Sequence, residues 1–159
     1  MTNHCYRIGA LLSFVCLTTD LHGQQLFIFQ QGRAGYAGAA DSHILVNKPS
    51  HNTGGEIMFE ACGNGGEGDA KHALLRFDLS AMPANLQIDS AWVALYLAQT
   101  RTPLRGDKTL GIYPLRRAWS AGLGDDPSGF DGRPAQNGEV NWQFAQFNSS
   151  AWEMAGANG

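Results

Sequence analysis

Short apolar segments separated by turn-forming residues recur along most of the chain. Each segment is rich in β-branched and aromatic residues and is bounded by glycine, asparagine, aspartate or proline, a pattern that predicts β-strands. The predicted strands cover residues 26–29, 42–46, 56–62, 72–79, 90–97, 110–115 and 139–147. No long stretch has convincing helical periodicity, although residues 139–147 also fit a helix. The sequence therefore predicts an all-β fold, and many short strands favour a sandwich over a barrel.

Two predicted strands differ in how their apolar residues alternate. In residues 72–79, every second residue is apolar, whereas Arg76 and Asp78 share the opposite face, which predicts a partly solvated surface. Residues 90–97 (SAWVALYL) are apolar on both sides, which predicts a central strand covered on both faces. The four tryptophans are interpreted as core side chains: Trp92, Trp119, Trp142 and Trp152.

The longest apolar run, residues 8–17, lies near the N-terminus and follows Arg7. It is too short for a membrane-spanning helix, which needs about 20 apolar residues. Small and polar residues follow it, so the pattern predicts a secretory signal peptide over residues 1–23. A buried N-terminal strand or helix is the alternative. The mature chain, residues 24–159, is then expected outside the cytoplasm, secreted or at the cell surface, in an extracellular or periplasmic location and without a membrane span.

Removal of residues 1–23 would leave Cys62 as the single cysteine. An exported chain with one thiol has no internal disulfide framework, so its fold is predicted to depend on its hydrophobic core. Free cysteine is among the most often buried residue types, which predicts that Cys62 is a buried small apolar residue. The alternative is an exposed thiol that pairs with another chain.

Glycine is the unusual feature of the composition, with 20 of 159 residues. The glycines cluster between the predicted strands, at residues 32–38, 54–68 and 122–138. Residues 63–68 (GNGGEG) match the G-x-G-x-x-G pattern of dinucleotide-binding loops. The next segment alternates like a strand and no βαβ unit frames the loop, so a hairpin connection is predicted instead.

Charge excludes one class of partner. Eleven basic and fourteen acidic residues give a net charge of −3, so no nucleic-acid partner is predicted.

The chain also has no H-E-x-x-H zinc motif and no G-x-S-x-G nucleophile motif, and no spacing identifies a catalytic triad. The sequence therefore predicts a protein that is not an enzyme.

One stretch of the chain concentrates basic side chains beside aromatic ones. The candidate ligand-binding residues are Tyr96, Arg101, Arg105, Lys108, Tyr113, Arg116 and Arg117. Aromatic faces stack on sugar rings, and arginine forks bind carboxylates through two hydrogen bonds. This set could therefore bind an acidic glycan, although a solvated loop beside core aromatics would contain the same residues.

Acidic side chains concentrate in the glycine-rich segment 122–138. Asp125, Asp126 and Asp131 are hard oxygen ligands at short spacing, which could hold Ca²⁺. The segment lacks the alternating acidic run and the distal glutamate of an EF-hand, so a solvated loop is the alternative. A structural calcium ion is the one cofactor that the sequence suggests.

Several stretches, taken in order, carry a family resemblance. The most specific is ALLRFDLS at residues 73–80, preceded by DSHI at 41–44 and NTGG at 52–55, and followed by VNW at 140–142 and by Trp152. Together they resemble the DNRLRE-domain family of secreted, mostly bacterial proteins. The resemblance covers about residues 26–156, which is nearly all of the expected mature chain.

The resemblance implies a jelly-roll-like antiparallel β-sandwich that binds polysaccharide or a cell-surface glycan. It also implies neighbouring domains within a larger exported protein, and it brings no catalytic residues. Relatives generally continue beyond the position of Gly159, so a sandwich lacking its C-terminal strand or strands is expected over residues 24–159. Two other functions fit the same pattern: a structural or adhesive spacer of a surface protein, and a fragment of a polysaccharide-degrading enzyme.

Overall fold

The structure, a computed structural model, describes residues 5–20, 23–63, 68–100 and 109–158. These residues form ten strands and one short 3-10 turn, Arg33–Gly35, and they contain no α-helix. The strands are β1 (Cys5–Asp20), β2 (Gly23–Gln30), β3 (Ala39–Leu45), β4 (His51–Asn52), β5 (Met58–Cys62), β6 (Lys71–Phe77), β7 (Ser90–Thr100), β8 (Arg133–Pro134), β9 (Phe144–Gln146) and β10 (Ser150–Ala151). The all-β prediction is confirmed, whereas the packing of two sheets as a jelly-roll-like sandwich stays a prediction.

The strands form one large sheet and two small ones. The large sheet has the order β2-β1-β5-β6-β3, and β7 also pairs with β1. Strand β1 pairs antiparallel with β2 from Ser13 opposite Gln30 to Asp20 opposite Gly23. The small sheets are the antiparallel pairs β4 with β8 and β9 with β10.

The chain divides into two compact units. The first consists of Met1–Gly9, Asp41–Leu74 and Leu97–Gly159, and the second of Ala10–Ala40 and Leu75–Tyr96. The core of the first unit contains Ile44, Leu74, Trp119, Val140, Ala145 and Trp152. Strands β3 and β6 supply the two aliphatic residues Ile44 and Leu74, and the mostly irregular C-terminal part of the chain supplies the other four.

Aromatic packing and one close backbone contact organise the second unit. Phe29 is buried, and its ring contacts the ring of Tyr36 edge to face at 5.4 Å between centroids. The Tyr36 hydroxyl donates to the carbonyl of Asp78 (3.1 Å), and the Asp78 amide donates to the carbonyl of Gly38 (2.9 Å). A Cβ at position 38 would lie 2.7 Å from the Asp78 Cβ, so glycine permits this close approach.

Most predicted strands correspond to strands of the structure. Five of the seven coincide with β2, β3, β5, β6 and β7 within a few residues. Residues 110–115 pair with no strand, and only Phe144–Gln146 is strand within 139–147. Antiparallel pairing of Cys62 with Lys71 confirms the hairpin that was predicted around residues 63–68, of which 64–67 lie outside the described residues.

The segment that was predicted to be a signal peptide forms β1 in the full chain, and its cleavage stays a prediction. Cys62, on the neighbouring strand β5, is buried, as predicted. In the uncleaved chain Cys62 is disulfide-bonded. The absence of an internal disulfide was predicted for residues 24–159 and stays a prediction. No other cysteine follows residue 23, so removal of residues 1–23 would leave Cys62 without a partner in its own chain.

Candidate functional site

Strand β7 presents aromatic side chains to solvent. Trp92 is 45% exposed and Tyr96 is 62% exposed, and the small side chain of Ala94 between them is exposed as well. Alternate residues of a strand share a face, so these three side chains form a row about 13 Å long, hereafter the aromatic row. Val93 and Leu95 on the opposite face are half-buried and anchor the strand.

The aromatic row corrects one prediction. Residues 90–97 were expected to be covered on both faces, with Trp92 in the core, but most of the strand is exposed. Alternation shows which residues share a face, whereas coverage depends on whether another layer packs there. The core assignment is confirmed for Trp119 and Trp152, and Trp142 packs against the same core while partly exposed.

The other candidate ligand-binding residues are divided among different parts of the chain. Arg101, Arg105 and Lys108 lie outside the described residues. Tyr113, Arg116 and Arg117 lie on one exposed, irregular segment of the first unit, whereas Tyr96 belongs to the second unit.

Tyr113 is the most exposed of the aromatic side chains in this set, at 82%. Its ring lies over Gly111, where an added Cβ would be 2.6 Å from a ring carbon. Arg117 donates from Nη1 to the Ser150 hydroxyl (3.2 Å). Tyr113, Arg116 and Arg117 thus offer an aromatic ring and two cations to solvent, hereafter the Tyr113 patch.

The three predicted calcium ligands have different surroundings. The Asp126 carboxylate accepts hydrogen bonds from the hydroxyl (2.7 Å) and the amide (3.0 Å) of Ser128, which lower the pKa of Asp126. Asp131 pairs with Lys48 at 2.9 Å between Oδ2 and Nζ, and Asp125 is exposed. Among the described residues, no group of three or more metal-ligating side chains is gathered in a geometry that could hold a metal ion.

Asn52 is the polar centre of the first unit, which sequence reasoning did not identify. Its side chain is fully buried and donates from Nδ2 to the carbonyls of Ala121 (2.6 Å) and Val140 (2.8 Å). Its Oδ1 accepts from the amides of Gly54 (3.2 Å) and Gly124 (2.7 Å). Asn52 therefore ties the NTGG turn to two distant chain segments. The NTGG motif was the available signal, but it indicated only a local turn.

His43 contacts Thr53, the residue after Asn52, and is also fully buried. Burial lowers the pKa of His43 to about 4, so its ring is neutral at physiological pH. Its Nε2 lies 2.8 Å from the carbonyl of Phe130 and therefore donates to it. Thr53 donates to the His43 carbonyl (2.6 Å) and accepts from the His43 amide (2.9 Å). The contact with Phe130 holds that segment against β3, where His43 lies, and the Thr53 contacts hold β3 against the NTGG turn.

All three histidines in the described residues contact backbone carbonyls. His51 Nδ1 lies 2.9 Å from the carbonyl of Asp131, and His72 Nδ1 lies 2.7 Å from the carbonyl of Gly156. His43 makes the third such contact. A ring nitrogen that donates to a carbonyl holds two chain segments together, and each of the three histidines joins segments that are far apart in sequence.

A charged cluster lies between β5, β6 and the segment before β8. Lys71 and Glu60 are 2% and 0% exposed, and the Lys71 ammonium contacts the Glu60 carboxylate. The Asp131 Oδ1 lies 3.8 Å from the same ammonium, and Lys48 pairs with the Asp131 Oδ2. Hereafter these four residues are the Lys71 cluster. The burial of Glu60 was not predicted from the sequence.

Comparison with known proteins leaves the chain without an assigned family: no protein family, curated protein or solved structure matches it. Among the described residues there is also no helix long and apolar enough to cross a bilayer.

Proposed function

We propose that the protein is a secreted, non-catalytic module that binds polysaccharide or a cell-surface glycan within a larger exported protein. The aromatic row carries this proposal. Trp92 and Tyr96 expose large apolar rings on one strand face, with the small Ala94 between them. An aromatic ring offers a flat apolar surface, and tyrosine and tryptophan add a polar group that can hydrogen-bond to a hydroxyl. A sugar ring presents the matching combination of apolar faces and hydroxyl edges.

The burial of His43 supports a non-catalytic role for this histidine. A general base needs a ring nitrogen that can reach a substrate proton. His43 is fully buried, and both of its ring nitrogens lie within hydrogen-bonding distance of protein atoms. The DNRLRE resemblance, which implies no catalytic residues, agrees with this proposal and adds the expectation of partner domains.

The Tyr113 patch extends the proposal to acidic glycans. Arg116 and Arg117 are exposed on the same irregular segment as Tyr113, and guanidinium groups bind carboxylates through paired hydrogen bonds. Binding of a neutral glycan would depend on the aromatic row alone. Binding of an acidic glycan would also depend on Arg116 and Arg117.

Affinity electrophoresis through gels containing neutral or acidic polysaccharides tests the proposal on the full-length protein. Trp92→Ala and Tyr96→Ala are each expected to weaken retardation about tenfold, equivalent to about 1.4 kcal/mol. The double variant Arg116→Ala with Arg117→Ala is expected to weaken retardation by acidic polysaccharides only. Ile57→Ala is the matched control, because Ile57 is 80% exposed and belongs to neither patch.

Two outcomes would contradict the proposal. One is the absence of retardation on every polysaccharide of the panel. The other is unchanged retardation when Trp92 and Tyr96 are both replaced by alanine, which would show that the aromatic row is not the binding surface.

A structural or adhesive spacer is the second candidate, and the buried Lys71 cluster favours it. Glu60 and Lys71 on adjacent strands are joined by a buried ion pair, and Asp131 connects them to a distant segment. Removing one partner of a buried pair typically costs about 3–5 kcal/mol because the other charge is left uncompensated, so the fold needs all members of the cluster. A spacer needs a defined fold and no ligand, so an absence of glycan binding would favour it.

A further inference from the structure

The Lys71 cluster places an amine, a carboxylate that can carry protons and a second carboxylate side by side. Strands β5 and β6 pair Cys62 with Lys71, so Glu60, two residues before Cys62, shares its face and lies diagonally opposite Lys71. This register brings the Lys71 ammonium against the Glu60 carboxylate in a site from which water is largely excluded. The ammonium group of Lys71, its reactive group, is therefore in contact with a proton acceptor.

Asp131 is held in place by contacts to both its backbone and its side chain. His51 contacts the carbonyl of Asp131, and His43 contacts the carbonyl of the preceding residue, Phe130. Lys48 pairs with Oδ2 at 2.9 Å, which leaves Oδ1 directed towards Lys71 at 3.8 Å from its Nζ. Two positive charges therefore flank the carboxyl carbon of Asp131.

We propose that Lys71 and Asp131 form an intramolecular isopeptide bond, an amide between Lys71 Nζ and Asp131 Cγ. Fixing an amine and a carboxyl group a few ångströms apart replaces a bimolecular encounter by a local one and gives a large effective concentration. Lysine becomes a nucleophile when an adjacent group takes its proton, and Glu60 is in contact with it. Lys48 stabilises the negative charge that develops on Oδ2 during attack.

The reaction balances without an oxidant or a co-reactant. Lys71 first gives one proton to Glu60, and its free electron pair then forms the bond to Asp131 Cγ. The proton on Glu60 passes to Oδ1, and a second proton from the nitrogen follows by the same route. Oδ1 leaves as water, while the third proton remains on the new amide. Glu60 returns to its starting form and accepts a hydrogen bond from the amide N–H.

Intact mass spectrometry of the full-length protein, after reduction and denaturation, tests this proposal. The expected mass is that of the purified sequence less one water molecule. Tryptic mapping is then expected to give one branched peptide that joins Lys71 to Asp131 and is uncleaved after Lys71. A mass equal to the unmodified sequence would overturn the proposal, and so would a branched peptide that maps to Lys48 instead of Lys71.

Three variants separate the bond from its surroundings. Lys71→Arg keeps the positive charge but is expected to restore the unmodified mass, because the guanidinium is a poor nucleophile. Glu60→Gln is expected to restore it as well, because the amide cannot carry the protons. Asp125→Asn is the matched control, since Asp125 is an exposed carboxylate in the same segment and its loss is expected to leave the bond intact. A Lys71→Arg mass that is still lower than its sequence mass by one water molecule would also overturn the assignment.

Discussion

Replacing Asn52 with alanine should destabilise the first unit more than any ordinary surface substitution. The buried amide of Asn52 makes four hydrogen bonds, two to carbonyls and two to glycine amides. Alanine removes all four and leaves these backbone groups without their Asn52 partner. A Cβ at position 124 would lie 2.0 Å from the Asn52 carbonyl oxygen, so the backbones already touch and have little freedom to close the space.

The size of the effect follows from the number of bonds. A typical intramolecular hydrogen bond contributes about 1 kcal/mol net, and buried groups left unsatisfied cost more. Four bonds therefore correspond to a loss of about 4 kcal/mol in the free energy of unfolding. Domains are stable by only about 5–15 kcal/mol, so Asn52→Ala is expected to leave the protein barely folded at 25 °C.

Urea unfolding followed by tryptophan fluorescence measures this loss, because Trp119 and Trp152 are buried in the same unit. The midpoint should fall while the slope with urea stays constant. Asn137→Ala is the matched control: Asn137 is exposed and its side-chain bond to Asn148 is on the surface, so the expected change is within about 0.5 kcal/mol.

Asn52→Asp adds a test that depends on pH. The aspartate keeps the acceptor for Gly54 and Gly124 but turns a second oxygen towards the carbonyls of Ala121 and Val140. This repulsion is relieved by protonation, so the pKa of the new carboxyl in the folded state should lie above its unfolded value of about 3.9. The variant is therefore most stable below that pH and loses stability as the pH rises through the folded-state pKa.

An Asn52→Ala variant that unfolded within about 0.5 kcal/mol of the unmodified protein at an unchanged slope would contradict this prediction. So would a stability deficit of Asn52→Asp that is the same at acidic and neutral pH. Either result would mean that the four contacts of Asn52 do not stabilise the folded chain.

Three further predictions follow from other buried contacts. Burial lowers the pKa of His43 from 6.5 to about 4, so between these pH values the unfolded chain binds more protons than the folded chain. The free energy of unfolding should therefore fall by about 3 kcal/mol as the pH drops from 6.5 to 4. In urea titrations at several pH values, His43→Gln should remove this contribution. Gly124→Ala places a Cβ 2.0 Å from the Asn52 carbonyl oxygen and should lower stability by about 2 kcal/mol or more, whereas Gly63→Ala, with nothing within 4 Å, should change little; equal midpoints for the two would contradict this. In denaturant without reduction, the Cys62 peptide should resist alkylation in the full chain but be alkylated in residues 24–159, and alkylation in both would show that the disulfide does not form.

The sequence predicted the strands well because strand formation is signalled locally. Alternation and turn residues locate β2, β3, β5, β6 and β7 without knowledge of their partners. The exposure of β7 was not predictable in this way, since it depends on which elements pack against Trp92 and Tyr96. Residues 110–115 have strand composition but no pairing partner in the structure, because composition permits a strand and only a neighbour completes it.

The candidate sites were predicted less completely. Tyr96, Tyr113, Arg116 and Arg117 are exposed as a binding role requires. The exposure of the two arginines follows from their charge, whereas the exposure of the two tyrosines does not follow from residue type. The partners of Asn52 are 69 and 88 residues away along the chain at Ala121 and Val140. No local pattern identifies such partners. The same holds for the Lys71 cluster, in which Asp131 and Lys71 meet only through tertiary structure.

The way the chain passes between the two compact units affects how fast it folds. The chain changes unit after Gly9, Ala40, Leu74 and Tyr96, so neither unit is one continuous piece of sequence. Each must bring together segments that are synthesised far apart, and folding slows as the mean sequence separation of contacts grows. A nascent chain halted before its C-terminal segment would lack four of the six core residues of the first unit and would leave Ile44 and Leu74 uncovered. Folding of the first unit should therefore wait until residues 119–152 have been synthesised.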